Sequence, residues 1–196
     1  MADELPAFTG VVLAGGASAR MGTDKALIEV DGQALVARAA DALSGAGAST
    51  VLVIGGDREA FRGLGLDARP DDHPGEGPLG GILTALRLAA DDIIMVLACD
   101  MPAIDAESVT AVVSALAGAP RALVAAPLVG QRRQFLTAAY RQRAMAPLEA
   151  AYAAGERAPR RAVAGLEVVQ VTGLDGHRLG DVDRPGDLHR YAQREV

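Results

Sequence analysis

Residues 13–25 read LAGGASARMGTDK, which brings three glycines, one arginine and the only lysine of the chain into thirteen positions. Glycines let a loop press its N–H groups against an anion without a Cβ in the way. Arg20 offers a fork for phosphate oxygens, and Lys25 a compact charge on a flexible stem. Together they suit a triphosphate tail. The Walker pattern is absent, because Lys25 is followed by Ala26. The dinucleotide fingerprint is absent too, because Gly15-Gly16-Ala17-Ser18-Ala19-Arg20 lacks its glycine spacing. The competing reading is a flexible turn with surface charges.

Two further stretches could do chemistry. In LACDMP, Asp100 ends an apolar run and Pro102 turns the chain away. A carboxylate there could hold the Mg²⁺ of a nucleotide, or serve as an ordinary turn aspartate. In PDDHPGEGPLGG, Gly77, Gly80 and Gly81 around Leu79 would let a purine or ribose lie on the backbone, or would simply form a turn and a helix start. Cys99 reads as a small buried residue, since Asp100 beside it has the wrong sign to stabilise a thiolate. His73, His177 and His189 lack metal-ligand spacing, and no G-x-S-x-G elbow occurs.

These residues need elements to hold them. Apolar runs predict strands at FTGVVLA, STVLVIGG, DDIIMVLACD, RALVAAPLV and LEVVQVTG, with RRQFLTAAY as a further candidate. Helical spacing marks QALVARAADALSGAG, GPLGGILTALRLAA, AMAPLEAAYAAG and the terminal RPGDLHRYAQRE. DAESVTAVVSALAGAP is another, with Asp105 as its cap and Glu107 in its first turn. Alternating strands and helices predict one α/β domain over residues 1–196, Rossmann-like, with a mostly parallel sheet covered on both faces. Ligands of such sheets bind beyond the carboxyl ends of the strands. The loops 15–25, 71–81 and 100–102 are therefore expected on one edge.

Composition narrows the partners. The 196 residues are 50% hydrophobic and only 3% aromatic, with net charge -6. That argues against nucleic acid. No run approaches a membrane span, and a single cysteine excludes an internal disulfide, so the cytosol is the expected location.

The order of these motifs resembles the nucleotidyltransferases that activate a phosphorylated small molecule with a nucleoside triphosphate. LAGGxSxRMGxDK is their most specific element. GPLGG after an acidic loop, CDMP after a strand and DVDRPGDL before the last helix resemble the molybdenum cofactor guanylyltransferase family in particular. The resemblance covers nearly the whole chain. It implies a Mg²⁺-dependent transfer of GMP from GTP to the terminal phosphate of molybdopterin, with pyrophosphate leaving. It also admits other molybdenum-cofactor assembly proteins as partners. Carried over by residue, it implies that Leu13, Ala14, Gly15 and Gly16 contact the nucleotide and that Arg20 and Lys25 bind its phosphates. Asp71 would lie near the nucleoside with the Gly77, Leu79 and Gly81 segment, Asp100 would hold Mg²⁺, and Arg157 would meet the second substrate.

The chain departs from the family pattern where Ile54-Gly55-Gly56 replaces a strand end with Asn, and where Gln134-Phe135 stands for QP. CTP-dependent molybdopterin cytidylyltransferase is the nearest alternative, although its strand end more often reads GDQP. Sugar-phosphate nucleotidyltransferases are usually longer. A nucleotide-binding regulator without catalysis would not need Lys25 and Asp100 intact. Asp181 and Asp183 flank Val182, so an extended backbone turns both carboxylates to one face. A cation would relieve their repulsion. At least one of Asp181 and Asp183 is therefore expected on the edge of Asp100, close enough to share a metal, with Asp183 as the expected ligand; the alternative is a cap on the last helix.

Overall fold

The structure, a computed structural model, describes residues 5–15 and 24–182. Among the described residues, ten strands and six α-helices follow one another: β1 (Phe8–Leu13), β2 (Glu29–Val30), β3 (Gln33–Ala34), α1 (Leu35–Gly45), β4 (Thr50–Ile54), α2 (Arg58–Gly63), β5 (Asp67–Arg69) and α3 (Pro78–Leu88). The second half supplies β6 (Ile93–Ala98), α4 (Ala106–Ala117), β7 (Val124–Val129), β8 (Arg132–Arg133), β9 (Thr137–Arg141), α5 (Met145–Ala153), α6 (Pro159–Ala162) and β10 (Val168–Val171).

The main sheet runs β10-β7-β9-β6-β1-β4-β5, with β8 paired to β7. β1 lies between β4 and β6 and is parallel to both. β9 is antiparallel to each of its neighbours, β6 and β7. The fold is α/β and Rossmann-like, mostly parallel, as the alternating pattern predicts. Strand residues divide by parity between the two faces. Phe8, Val12, Ile93, Met95 and Leu97 join α1 and α4 in one core cluster. Val11, Leu13, Ile94 and Val96 join α3 and α5 in the other. Gly10 allows close packing, since a Cβ there would stand 3.0 Å from Leu43 Cβ.

Several elements differ from the sequence expectation. The helix expected from Gln33 begins at Leu35, because Gln33 and Ala34 pair with β2 across Asp31-Gly32. Both turn residues have positive φ, as in the type I′ turns common in two-residue hairpins. The stretch 57–69, left unassigned by pattern, forms α2 and β5, with the Asp57 side chain accepting from the Glu59 and Ala60 N–H groups. RRQFLTAAY splits into β8 and β9. Asp105 caps α4 by accepting from Ser108 N at 2.9 Å. The terminal helix expected from Arg184 lies outside the described residues.

Among the described residues, β9 carries the largest fully buried side chain, Tyr140. Burial pushes its phenol well above the ordinary range, and its hydroxyl donates to the Phe135 carbonyl at 2.6 Å. Tyr140→Phe leaves that buried carbonyl unpaired, so stability should fall by about 1–3 kcal/mol. Urea denaturation should show this as a lower midpoint at unchanged slope.

Candidate nucleotide site at the carboxyl edge

Parallel pairing sets the strand ends level. Leu13 stands opposite Ile54 on one side and Ala98 on the other. The chain therefore leaves β1, β4 and β6 at one edge, and the described parts of the three expected loops meet there. Gly16 and Arg20 lie outside the described residues.

Lys25 Nζ is 2.9 Å from Asp100 Oδ2, and both side chains are largely shielded from solvent. The lysine sits in a short 3₁₀ turn, Lys25–Leu27, capped by Asp24, whose Oδ1 accepts from Ala26 N. Asp24 Oδ2 accepts from Asp57 N at 3.1 Å, which ties this turn to the loop after β4. Sequence reasoning missed Asp24. Its position beside the single lysine was the available signal.

Backbone packs closely around Gly15. Ala14 N donates to the Ile54 carbonyl at 2.9 Å, and the Leu13 carbonyl accepts from Cys99 N at 3.2 Å. Gly55 has φ +81, and a Cβ on it would stand 2.9 Å from Gly15 Cα. A side chain is therefore excluded at Gly55 by both strain and space. Gly15 is exposed, and a Cβ built on it would lie 3.9 Å from Asp71 Oδ2. Asp71 is held from its other oxygen, which accepts from the Thr84 hydroxyl and His73 N at 2.9 and 3.0 Å.

The glycines of the third stretch have divided roles. Gly77 is exposed, has φ +90 and stands immediately before α3. A Cβ on Gly80 would meet His73 Cβ at 2.6 Å, and one on Gly81 would meet Leu13 Cδ2 at 3.2 Å. The structure places Leu79, Gly80 and Gly81 in the packing beneath the loop, with Leu79 fully buried. Leu79 N donates to the Arg157 carbonyl. The Arg157 guanidinium lies 3.9 Å over the Tyr152 ring and 3.0 Å from Glu76. Tyr152 in turn donates its hydroxyl to Glu76 at 2.5 Å and packs its ring against His73. That hydroxyl, followed by the charge of Arg157, holds the Glu76 carboxyl below its usual range. The cluster fastens the loop before α3 to the segment after α5.

A cavity of about 270 Å³ opens beside Asp100. Asp181 lines it as well, and Val182 N donates to the Asp100 carbonyl at 2.9 Å. Asp181 thus lies on the edge of Asp100, as expected for one of the pair, while Asp183 lies outside the described residues. Arg133, Gln134, Phe135 and Arg160 also line the cavity. Of these, only Gln134-Phe135 drew notice in the sequence. Among the described residues, no group of three or more His, Cys, Asp and Glu side chains is arranged to hold a metal. No described helix is long and apolar enough to cross a membrane.

A family model described as "MobA-like NTP transferase domain" matches residues 10–171. A Chloroflexus aggregans protein named "Probable molybdenum cofactor guanylyltransferase" is 38% identical, over 92% of this chain and 91% of its own length. The molybdenum cofactor guanylyltransferase of Pseudomonas putida KT2440 is 33% identical over 96% and 99%. The crystal structure of molybdopterin-guanine dinucleotide biosynthesis protein A from Archaeoglobus fulgidus superposes with TM-score 0.75 at 24% identity, covering 93% of this chain and 95% of that one.

Cys99 sits at this edge without reactive character. Burial, then the Asp100 charge, raises its thiol to about 12. The thiolate population should stay negligible until the pH nears that value. Native protein at pH 8 is expected not to react with Ellman's reagent, and to release one equivalent per chain once unfolded.

Proposed function

The chain belongs to the MobA-like NTP transferase family, and on that footing we propose that it transfers GMP from GTP to the terminal phosphate of molybdopterin. It is a nucleotidyltransferase of molybdenum cofactor biosynthesis. The observation that carries the fuller reading is the Lys25–Asp100 pair, set beside a cavity that also holds Asp181.

The reaction joins two anions. An oxygen of the acceptor phosphate attacks the α-phosphorus of GTP. The bond from that phosphorus to the β-phosphate oxygen breaks, and pyrophosphate leaves with the electron pair. A phosphomonoester has its second pKa near about 6, so the attacking oxygen needs no general base at neutral pH. Charge neutralisation and alignment are the remaining work. Lys25 supplies a positive charge at the carboxyl edge, and Asp24 holds the turn that carries it. Arg20, Gly16 and the backbone around Leu13, Ala14 and Gly15 complete the phosphate cradle in this reading. Asp71 faces the nucleoside across Gly15, and Gly77 gives the base an open backbone surface. Arg157, anchored on Tyr152 and Glu76, meets the second substrate in this reading.

Mg²⁺ fits the residues present. It takes oxygen ligands and is commonly held by one or two carboxylates with substrate phosphates and water. Asp100 and Asp181 offer such carboxylates on one cavity, and Asp183 is the third candidate. When bound, the ion would neutralise charge on the phosphates during transfer. The cytoplasm, where GTP is available, is the proposed location, and other cofactor-assembly proteins are proposed partners.

Two measurements test this reading. Thermal-shift titration with GTP, CTP, ATP and UTP, each with Mg²⁺, should show the largest stabilisation with GTP. Pyrophosphate release with molybdopterin should follow the same order, whereas a lead for CTP in both would reassign the chain to the cytidylyltransferases. Separately, Lys25→Arg should fold normally but lose about 100-fold or more of turnover, because a broad guanidinium does not replace a compact ammonium in a crowded phosphate site. Near-normal turnover of that variant would refute the role given to Lys25.

A further inference from the structure

One face of α3 is turned to the loop that carries Asp71. Gly80, Thr84 and Arg87 recur on it at helical spacing. Gly80 has no Cβ, and one built there would strike His73 Cβ at 2.6 Å, so the loop lies directly on the helix. Arg87 takes Asp72 in a fork, at 2.5 and 2.9 Å. Between the two stands Thr84, which is only 1% exposed and which no motif names.

The Thr84 hydroxyl makes two contacts with this loop. Its oxygen accepts from Asp72 N at 3.1 Å, and it donates to Asp71 Oδ1 at 2.9 Å. The Gly80 carbonyl is also within reach, at 3.1 Å, but it is neutral, and a carboxylate is the stronger acceptor. Oδ1 accepts from His73 N as well, at 3.0 Å. One oxygen of Asp71 is therefore occupied from the helix side. The other, Oδ2, receives no hydrogen bond among the described residues and lies toward Gly15. Without the hydroxyl, His73 N alone would hold Oδ1, and the carboxylate would be free to turn.

A carboxylate oxygen held in this way can only accept. Guanine presents the N1–H and N2–H₂ donors along one edge, whereas adenine presents an acceptor, N1, at the corresponding place. An acceptor set against an acceptor repels and leaves both unpaired, which selects between the two purines. We propose that Thr84 is a positioning residue for base selection: its hydroxyl holds Asp71 Oδ1 and so fixes Oδ2 against the donor edge of guanine. The inference rests on the guanylyl-transfer reading for the identity of the base. It adds to that reading the group that orients Asp71.

Thr84→Val removes the hydroxyl and nearly keeps the shape. Calorimetric titration with Mg²⁺ present should show its affinity for GTP about tenfold weaker and its affinity for ATP changed by less than about twofold, so that the GTP/ATP ratio falls about tenfold. Thr84→Ala, which favours the helix, is the second variant and should give the same fall. Thr84→Ser keeps the hydroxyl and should hold the wild-type ratio within about twofold. Arg87→Ala loosens the same loop at Asp72 without touching Asp71, and should leave the ratio unchanged. A merely structural Thr84 would lower the Tm of the valine variant and weaken GTP and ATP alike. Contact of Asp71 with the ribose would also weaken both alike, since the sugar is common to them. Either result would overturn the proposal, as would an equal loss of ratio in Arg87→Ala. If the wild type binds CTP best, the guanylyl reading fails, and the CTP/UTP ratio, comparing bases with and without an amino donor, decides in the same variants whether Thr84 acts through Asp71. No binding of any nucleotide by the wild type would overturn both.

Discussion

Parallel pairing of β1 with β4 on one side and β6 on the other is the constraint from which the site follows. It sets Leu13, Ile54 and Ala98 abreast, so Gly15, Gly55 and Asp100 emerge at one level. The register is enforced by burial on both faces of β1, where Phe8 and Val12 face one cluster and Val11 and Leu13 the other. A slip of one residue would exchange the two faces and misplace every loop. The Lys25–Asp100 pair closes a contact 75 residues apart in sequence only because this pairing brings the two strand ends together.

The first half of the site was legible because apolar runs alternate with helical ones, and that alternation implies parallel strands. Parallel strands imply a shared edge, which is enough to bring Lys25, Asp71 and Asp100 to one place without knowing any contact. The second half was not legible. Apolar alternation carries no direction, so nothing in RRQFLTAAY announces that β9 runs against its neighbours. Its reversal is what brings residues 133–136 to the site edge, because that edge receives the start of β9 and not its end. The pairing of Arg157 with Glu76, 81 residues apart, was equally hidden. The glycines were ambiguous in a different way. Gly80 and Gly81 read as ligand surface or as a turn and helix start, and the nearness of His73 and Leu13 gives them a packing role that neither reading named.

Asp24 shows how much depends on a short side chain. One oxygen completes the turn that carries Lys25, and the other holds the Asp57 N–H, so the loop after β1 and the loop after β4 share one carboxylate. Gly56 fits beside it, since a Cβ there would lie 3.0 Å from Asp24 Oδ2 and closer still to Phe61. A larger side chain at the end of β4 would therefore disturb the lysine without touching it.

The reversed strand β9 has one more consequence. It stands as a seam in the sheet: strands β1, β4, β5 and β6 meet the site on one side, and β7, β8 and β10 on the other. The residues proposed to handle the nucleotide come almost wholly from before the seam, and Arg157, proposed to meet the acceptor, follows it in the chain. Such a division lets the two halves drift at different rates. A descendant could exchange the segment between α5 and α6, acquire a new phosphorylated acceptor, and inherit its nucleotide chemistry unchanged.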